Sequence, residues 1–243
     1  MKILITGTNS GLGQFLKKKI PNSISFNRKT NQNIFNKKFD YIIHCAFNNS
    51  FNMNNFQILE NLSLTKKISN QNSKKIFLST TRVYSSKTTF KSPETEKLYP
   101  EKKIFDDYVL SKILSEKMFD IRNDLIIRLG TCVGPTMRKS SLYKLYHKFK
   151  NINISKKSKH SIVHYDEIFT FIKTAIERNL AGIYNFCRND AIKIEKLVKR
   201  KNVKFGKFYF HCKYANTSKI NKYIKLNSKS SEYVFSRLMK NKL

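Results

Sequence analysis

Lys2-Ile-Leu-Ile-Thr6 and the adjoining Gly7-Thr-Asn-Ser-Gly11-Leu-Gly13 decide the fold of this chain. The first stretch is a short apolar run, which predicts a buried parallel strand. The second is a glycine-rich turn, and the residues after it predict a helix over 14–20. A strand, a glycine turn and a helix N-terminus predict a dinucleotide site, because small residues let the backbone approach a pyrophosphate and free N–H groups hold its charge. The alternative is a tight strand-to-helix turn that binds nothing.

Length and composition indicate one sizeable core. The chain has 243 residues, of which 40% are hydrophobic, and this is enough for one domain with a small appended lobe. There is no apolar run of about 18 residues and no signal-peptide pattern at Met1, so we expect a cytoplasmic protein without a membrane partner. The four cysteines are scattered without metal-ligand spacing. They predict reduced thiols and no metal site.

The charge of the chain is strongly positive. It carries 48 basic and 16 acidic residues, a formal net charge of +32. Such a charge suits a polyanionic ligand, either a nucleoside diphosphate or a nucleic acid. Lysine is spread along the whole chain, however, so a compositional bias explains the charge equally well. Charge alone does not choose the partner.

A second strand is predicted at Ser23–Phe26, and it ends in Asn27-Arg28-Lys29. An acidic residue at this point would accept hydrogen bonds from an adenosine ribose and favour NAD. Arg28 can instead pair with a 2′-phosphate, so the sequence favours NADP, with NAD as the alternative. The competing interpretation is that these are ordinary solvated cations.

Strands and helices alternate through the next hundred residues. Thr80 and Thr81 form a hydroxyl cluster at the end of one predicted strand, where open α/β sheets bind ligands. The last twenty residues are polar and lysine-rich, and we expect them to fray. The pattern predicts strands over 40–47, 75–79 and 124–129, helices over 54–70 and 104–118, a polar loop over 85–103, and shorter elements beyond residue 135.

Tyr108 and Lys112 lie four residues apart, which places them on one face of the predicted helix. A lysine ammonium beside a phenol favours the phenolate and makes the tyrosine a better proton-transfer group. The alternative is a helix with an ordinary wet face.

Taken in order, these motifs resemble the short-chain dehydrogenase/reductase superfamily, and within it the extended branch that works on nucleotide sugars. Single motifs are weak, but their shared order covers most of the chain. Phe47 departs from the pattern, because a small residue is usual there, and the short segment between the second strand and residue 40 weakens the adenine pocket. The matching stretches are Ile3–Gly7 with the glycine turn, Asp40–Ala46, Phe77–Tyr84, Tyr108-x-x-x-Lys112, Ile127–Pro135, Ser161–Ile168 and Gly182–Asn185.

The resemblance implies an α/β fold, a Rossmann-type doubly wound parallel sheet with a small C-terminal substrate lobe. It implies an NAD(P)-binding domain over 1–135 and a lobe over 136–243 that partly returns to the first domain near 161–186. The implied catalytic residues are Thr80, Tyr108 and Lys112. Thr81 and Arg138 are expected to bind substrate, Arg138 together with Lys139 at its diphosphate. The alternative is that these two cations are ordinary surface charge. The residues expected to bind the cofactor are Gly7, Thr8, Asn9, Ser10, Gly11, Leu12, Gly13, Asn27, Arg28, Cys45, Ala46, Tyr108 and Lys112.

The implied activity is reduction of a keto group on a nucleotide-activated sugar, and a nucleotide-sugar 4-epimerase is the alternative. Dehydration is disfavoured because Thr81 and Arg82 stand where dehydratases of the family carry acids. A third possibility is a non-enzymatic member that senses NAD(P) or binds nucleic acid. The presence of Thr80, Tyr108 and Lys112 together argues against it. Family members often pair through helices that flank the sheet, so we expect a homodimer.

Overall fold

The computed structural model describes residues 1–49, 53–84, 94, 98, 106–198, 202–210 and 215–240. The loop predicted over 85–103 lies outside these residues except for Glu94 and Leu98. No helix among the described residues combines the length and apolar character needed to cross a membrane.

Apolar runs form the strands, and helices fill the intervals between them. The strands are β1 (Ile3–Thr6), β2 (Ile24–Phe26), β3 (Tyr41–His44), β4 (Lys74–Thr80), β5 (Leu125–Leu129), β6 (Thr131–Val133), β7 (Asn151–Ile154), β8 (Lys159–His160), β9 (Ile162–His164), β10 (Gly182–Phe186), β11 (Ile192–Lys193) and β12 (Lys204–Phe208). The α-helices are α1 (Gly11–Lys19), α2 (Asn55–Ser69), α3 (Asp107–Glu116), α4 (Ser141–Tyr146), α5 (Tyr165–Glu177), α6 (Ser218–Asn221) and α7 (Ser231–Lys240).

Six strands form one parallel sheet in the order β10-β5-β4-β3-β1-β2. Successive side chains of a strand point to opposite faces of the sheet. In β1, Ile3 and Ile5 therefore enter one hydrophobic cluster, whereas Leu4 enters the other. Helices cover both faces, with α1 against α5 on one side and α2 against α3 on the other. This is the doubly wound sheet predicted from the sequence.

The chain after residue 135 both returns to the sheet and builds a lobe beside it. β10 is an edge strand of the main sheet. β7 pairs with β12, β8 with β11, and β6 with β9, each as a two-stranded unit. This arrangement places a ligand-sized space between the lobe and the carboxyl ends of the central strands.

Over residues 224–240, the expectation that the end of the chain frays is wrong. α7 ends the described chain, and its apolar side chains Val234, Phe235 and Leu238 are buried in the main core. Arg188 fixes the approach to this helix, because its guanidinium donates to the Lys229 carbonyl at 2.8 Å and to a Glu167 carboxylate oxygen at 2.5 Å. The lysine-rich composition hid an apolar stripe at helical spacing.

Candidate active site

Two adjoining cavities lie along the carboxyl edge of the sheet. The first has a volume of about 650 Å³ and is called here the Arg28 cavity. The second has a volume of about 310 Å³ and is called the Tyr108 cavity. Open parallel sheets bind ligands at this edge. The two cavities therefore form one candidate site.

The glycine turn forms the floor between the cavities. Gly7 and Gly11 have φ values of +74° and +62°, which glycine adopts without strain. A Cβ atom at Gly13 would lie 2.3 Å from the Gly7 carbonyl oxygen, so this close packing of the turn also requires glycine. The turn delivers α1 with its N-terminus toward the cavities. These features fit the pyrophosphate of a dinucleotide.

Most of the residues predicted to bind a cofactor line one cavity or the other. Thr8 lines neither cavity, so its contact with a cofactor stays a prediction. Gly7, Asn9, Ser10, Asn27, Arg28 and Ala46 line the Arg28 cavity. Gly11, Leu12, Gly13, Cys45, Tyr108 and Lys112 line the Tyr108 cavity.

Arg28 has a partner that the sequence did not suggest. Its guanidinium lies 3.1 Å from a carboxylate oxygen of Glu60 on α2, and both residues line the Arg28 cavity. The carboxylate offsets the charge of Arg28 and would repel a 2′-phosphate placed beside it. The structural basis for an NADP preference is therefore weaker than Arg28 alone indicates.

The three predicted catalytic residues come together in the Tyr108 cavity. Thr80 reaches it from the end of β4, whereas Tyr108 and Lys112 reach it from α3. Asp106 fixes the start of α3, because its carboxylate accepts the Val109 backbone N–H at 2.9 Å. Thr80 Oγ1 accepts the Arg82 backbone N–H at 3.3 Å, which orients the hydroxyl.

Lys112 is almost fully buried, with 4% of its surface exposed. Its ammonium donates to the Leu78 carbonyl at 2.6 Å and lies 3.6 Å from the ring centre of Phe47. Burial lowers the pKa of Lys112 to about 7, although the charges of Cys45 and Glu116 oppose this shift. The ammonium is thus held by a carbonyl and an aromatic face, and part of its charge is lost near neutral pH.

Tyr108 keeps its proton at neutral pH. Burial raises its pKa to about 12, against the opposing positive charge of Arg82 and then of Arg138. Arg82 Cζ lies 5.7 Å from the ring centre of Tyr108, and Arg82 also lines the cavity. The cations that oppose this upward shift are the two arginines, although Lys112 Nζ lies 5.9 Å from the same ring centre. The lowering of the Tyr108 pKa by Lys112 stays a prediction.

Thr81 does not fit its predicted role in substrate binding. It is fully buried and does not line the Tyr108 cavity. Arg82, the next residue, does line it and pairs through Nη2 with the Asp106 carboxylate. Among the described residues that line this cavity there is no aspartate or glutamate. That dehydration is disfavoured stays a prediction from the sequence.

A buried polar network supports β4 from behind the site. Glu116 Oε1 accepts the Ser79 hydroxyl at 2.5 Å, and Glu116 Oε2 accepts an Arg128 N–H at 2.7 Å. Arg128 Nη1 also donates to the Tyr84 hydroxyl at 2.8 Å. His44 lies in a separate buried cluster with Thr6, and burial lowers its pKa to about 3, so it is a neutral structural residue.

Arg138 lies at the junction of the cavities. It lines both of them, and its Nε donates to Ser10 Oγ at 3.2 Å. The substrate diphosphate role predicted for it rested only on the nearby Gly134-Pro135 turn.

Three residues of the site were not predicted from the sequence to be functional. Glu60 lies on α2, which carries no motif, so nothing in the sequence points to it. The sequence marks Phe47 only as a departure from the family pattern. It marks Arg82 only as a basic residue at a position where dehydratases of the family carry an acid. The adjacency of Arg82 to the Thr80 hydroxyl cluster was the one available signal.

Comparison of the whole structure with solved structures gives strong similarity at low sequence identity. MoeE5 in complex with UDP-glucuronic acid and NAD matches with a TM-score of 0.81 and 12% identity, covering 100% of both chains. UDP-glucuronic acid 4-epimerase from Bacillus cereus, also in complex with UDP-glucuronic acid and NAD, matches with a TM-score of 0.76 and 16% identity over 100% of both chains. TunA, an NAD-dependent NDP-hexosamine 5,6-dehydratase, matches with a TM-score of 0.78 and 14% identity, covering 98% of this chain and 96% of TunA. No protein-family model and no curated protein matches the sequence.

These matches define the fold. The chain has the Rossmann-type fold of the extended short-chain dehydrogenase/reductases, as the sequence motifs predicted. At these identities the similarity shows a shared architecture and does not identify the substrate.

Proposed function

We propose that the protein is a nicotinamide-dependent oxidoreductase that acts on a nucleotide-activated sugar and reduces a keto group on it. The observation that carries this proposal is the joint placement of Thr80, Tyr108 and Lys112 in the Tyr108 cavity, next to the glycine turn. The adjoining Arg28 cavity gives room for the adenosine end of a dinucleotide. NAD and nucleotide sugars are what the similar structures contain.

The bound nicotinamide would supply hydride exchange with a sugar carbon. Tyr108 holds the proton that the carbonyl oxygen needs as it becomes a hydroxyl. Its raised pKa keeps the phenol protonated at neutral pH, which suits a proton donor. Thr80 gives a second hydrogen bond that fixes the same oxygen. Arg82, close to the Tyr108 ring, stabilises the phenolate that the transfer leaves behind.

A 4-epimerase is the second candidate, and the Arg28–Glu60 pair favours it. This pair weakens the case for NADP and supports NAD as the cofactor. An epimerase oxidises and reduces the same carbon, so it needs no net supply of reductant. Both candidates use Tyr108 for proton transfer. A reductase needs it only as a proton donor, whereas an epimerase also needs its phenolate to accept the proton of the sugar hydroxyl before returning it. They differ in whether NADH is consumed in proportion to product.

The test compares the wild-type protein with Tyr108→Phe and with Tyr143→Phe as the matched control. Tyr143 lies on α4 and lines neither cavity. We expect Tyr108→Phe to bind NADH with an unchanged Kd and to lose turnover by about 10²- to 10⁴-fold on a panel of UDP-sugars and UDP-keto-sugars. Tyr143→Phe is expected to keep turnover. Full turnover in Tyr108→Phe would refute the mechanism, and stoichiometric loss of NADH separates the reductase from the epimerase.

A further inference from the structure

Arg138, Phe47 and Asn49 are the three described residues that line both cavities. Arg138 connects the two sides of the groove at this point. Its Nε donates to Ser10 Oγ at the start of α1, and its Nη1 donates to the Phe47 carbonyl at 3.0 Å and to Asn49 Oδ1 at 3.2 Å. The side chain therefore crosses the groove and divides it into the two cavities.

The backbone next to Arg138 is tied to the glycine turn. The Gly11 N–H donates to the Thr136 carbonyl at 2.8 Å, and the Thr136 hydroxyl donates to the Gly11 carbonyl at 2.8 Å. Gly134 lies under the Tyr165 ring, where a Cβ atom would approach to 2.3 Å. These contacts place Arg138 over the turn, and a Cβ atom on Gly11 would lie 3.3 Å from its side chain.

The charge of Arg138 lacks an anionic partner among these contacts. Its three acceptors are a hydroxyl, a carbonyl and an amide oxygen, all of them neutral. The first turn of α1 contains no acidic residue. A guanidinium forms its strongest hydrogen bonds to carboxylate or phosphate oxygens, often two at once. The geometry thus suits replacement of the Phe47 and Asn49 acceptors by an anion.

We propose that Arg138 binds the pyrophosphate of the dinucleotide cofactor. This inference rests on the proposed function, because a dinucleotide must first occupy the groove. A dinucleotide that extends from Arg28 to Tyr108 passes Arg138 at its midpoint, and its pyrophosphate is the midpoint of the molecule. Arg138 is then a cofactor-binding residue, in place of the substrate diphosphate role that the sequence predicted.

The test measures Kd by calorimetry for NADH, ADP-ribose, adenosine and UDP. The variants are Arg138→Gln, Arg138→Lys and, as the matched control, Lys139→Gln. Lys139 is the exposed neighbouring cation and lines neither cavity. We expect Arg138→Gln to weaken NADH and ADP-ribose by about 10- to 100-fold, because both contain the pyrophosphate. Adenosine and UDP should bind as in the wild type, Arg138→Lys should lose less affinity, and Lys139→Gln should lose none.

Three results would overturn the inference. Weaker UDP binding with unchanged NADH binding would show that Arg138 binds the substrate diphosphate and not the cofactor. An equal loss for adenosine, or a lowered Tm in both Arg138 variants, would show that it only supports the groove. Unchanged affinity for every ligand in Arg138→Gln would show that it has no part in binding. A wild-type protein that binds no NADH at all would instead refute the proposed function itself.

Discussion

Replacing Lys112 by methionine should change how the stability of the protein depends on pH. Lys112 is buried between Phe47 and Phe77, with its Nζ 3.6 Å and 4.5 Å from their ring centres. Burial lowers its pKa from the ordinary 10.5 to about 7. Methionine keeps the length of the side chain and removes the ionisable group.

The direction in which the free energy of unfolding changes with pH follows from the pKa of Lys112 in the folded and in the unfolded chain. The unfolded chain keeps the proton on Lys112 up to about pH 10.5, whereas the folded chain releases it near pH 7. Between these values the unfolded state binds more protons, so the free energy of unfolding rises with pH. The slope is about 1.4 kcal/mol per pH unit, which gives a gain on the order of 2 kcal/mol between pH 7 and 8.5. Below pH 7 both states are protonated and this contribution becomes flat.

Urea unfolding of the wild type and of Lys112→Met from pH 7 to 8.5 measures this gain. The lower limit avoids His44, because burial lowers its pKa from 6.5 to about 3 and this adds a slope below pH 7 in every variant. The upper limit avoids Cys45, because burial raises its pKa from 9.0 to about 12 and this gives an opposite slope above pH 9. Exposed Lys117 lies at the end of the same helix, and Lys117→Met controls for loss of one positive charge. We expect the wild type and Lys117→Met to gain stability together and Lys112→Met to stay level. Parallel curves for all three proteins would show that Lys112 keeps its proton when buried.

Two further predictions concern acidic partners, with exposed Glu177→Gln on α5 as a shared control for lost negative charge. Glu60→Gln should release Arg28 and raise the affinity for NADPH relative to NADH by up to about 5-fold, since exposed ion pairs contribute at most about 1 kcal/mol. Fluorescence titration measures the two Kd values. An unchanged ratio between them would contradict the role given to Glu60. Glu116→Gln should lower the free energy of unfolding by about 3–5 kcal/mol, because it leaves the buried Arg128 charge without its carboxylate. A loss below about 1 kcal/mol in urea unfolding would mean that Arg128 finds another acceptor.

Local sequence signals predicted most of the fold but only part of the site. The apolar run of β1, the glycine turn and the buried strand ends are local patterns, and each one formed as predicted. The partners of Arg28 and Arg138 come from α2 and from the segment after β3, far away in the chain. Nothing in the spacing of Glu60 or Asn49 distinguishes them from other polar residues. Long-range pairs of this kind depend on how the elements pack, so single-sequence patterns cannot reveal them.

The distribution of charge around Tyr108 shows why helix spacing alone does not identify the cations that act on its pKa. Tyr108 and Lys112 share one helix face, yet the lysine reaches past the phenol to the Leu78 carbonyl. Phe47 makes this possible, because its ring covers the ammonium and also meets the Tyr108 ring edge-on at 5.8 Å. A small residue at position 47 would leave neither contact.

Arg82 is the cation with the larger effect on the phenol, ahead of Arg138, and its charge is partly offset by Asp106. Burial keeps Tyr108 protonated and able to donate, and the positive charge of Arg82 opposes this shift without reversing it. The same ion pair engages Asp106, the one acid described beside Arg82, and removes it as a candidate for the acid/base step of a dehydration. Under the proposed function, the Arg82–Asp106 pair would favour proton donation to a sugar oxygen over loss of water from the sugar.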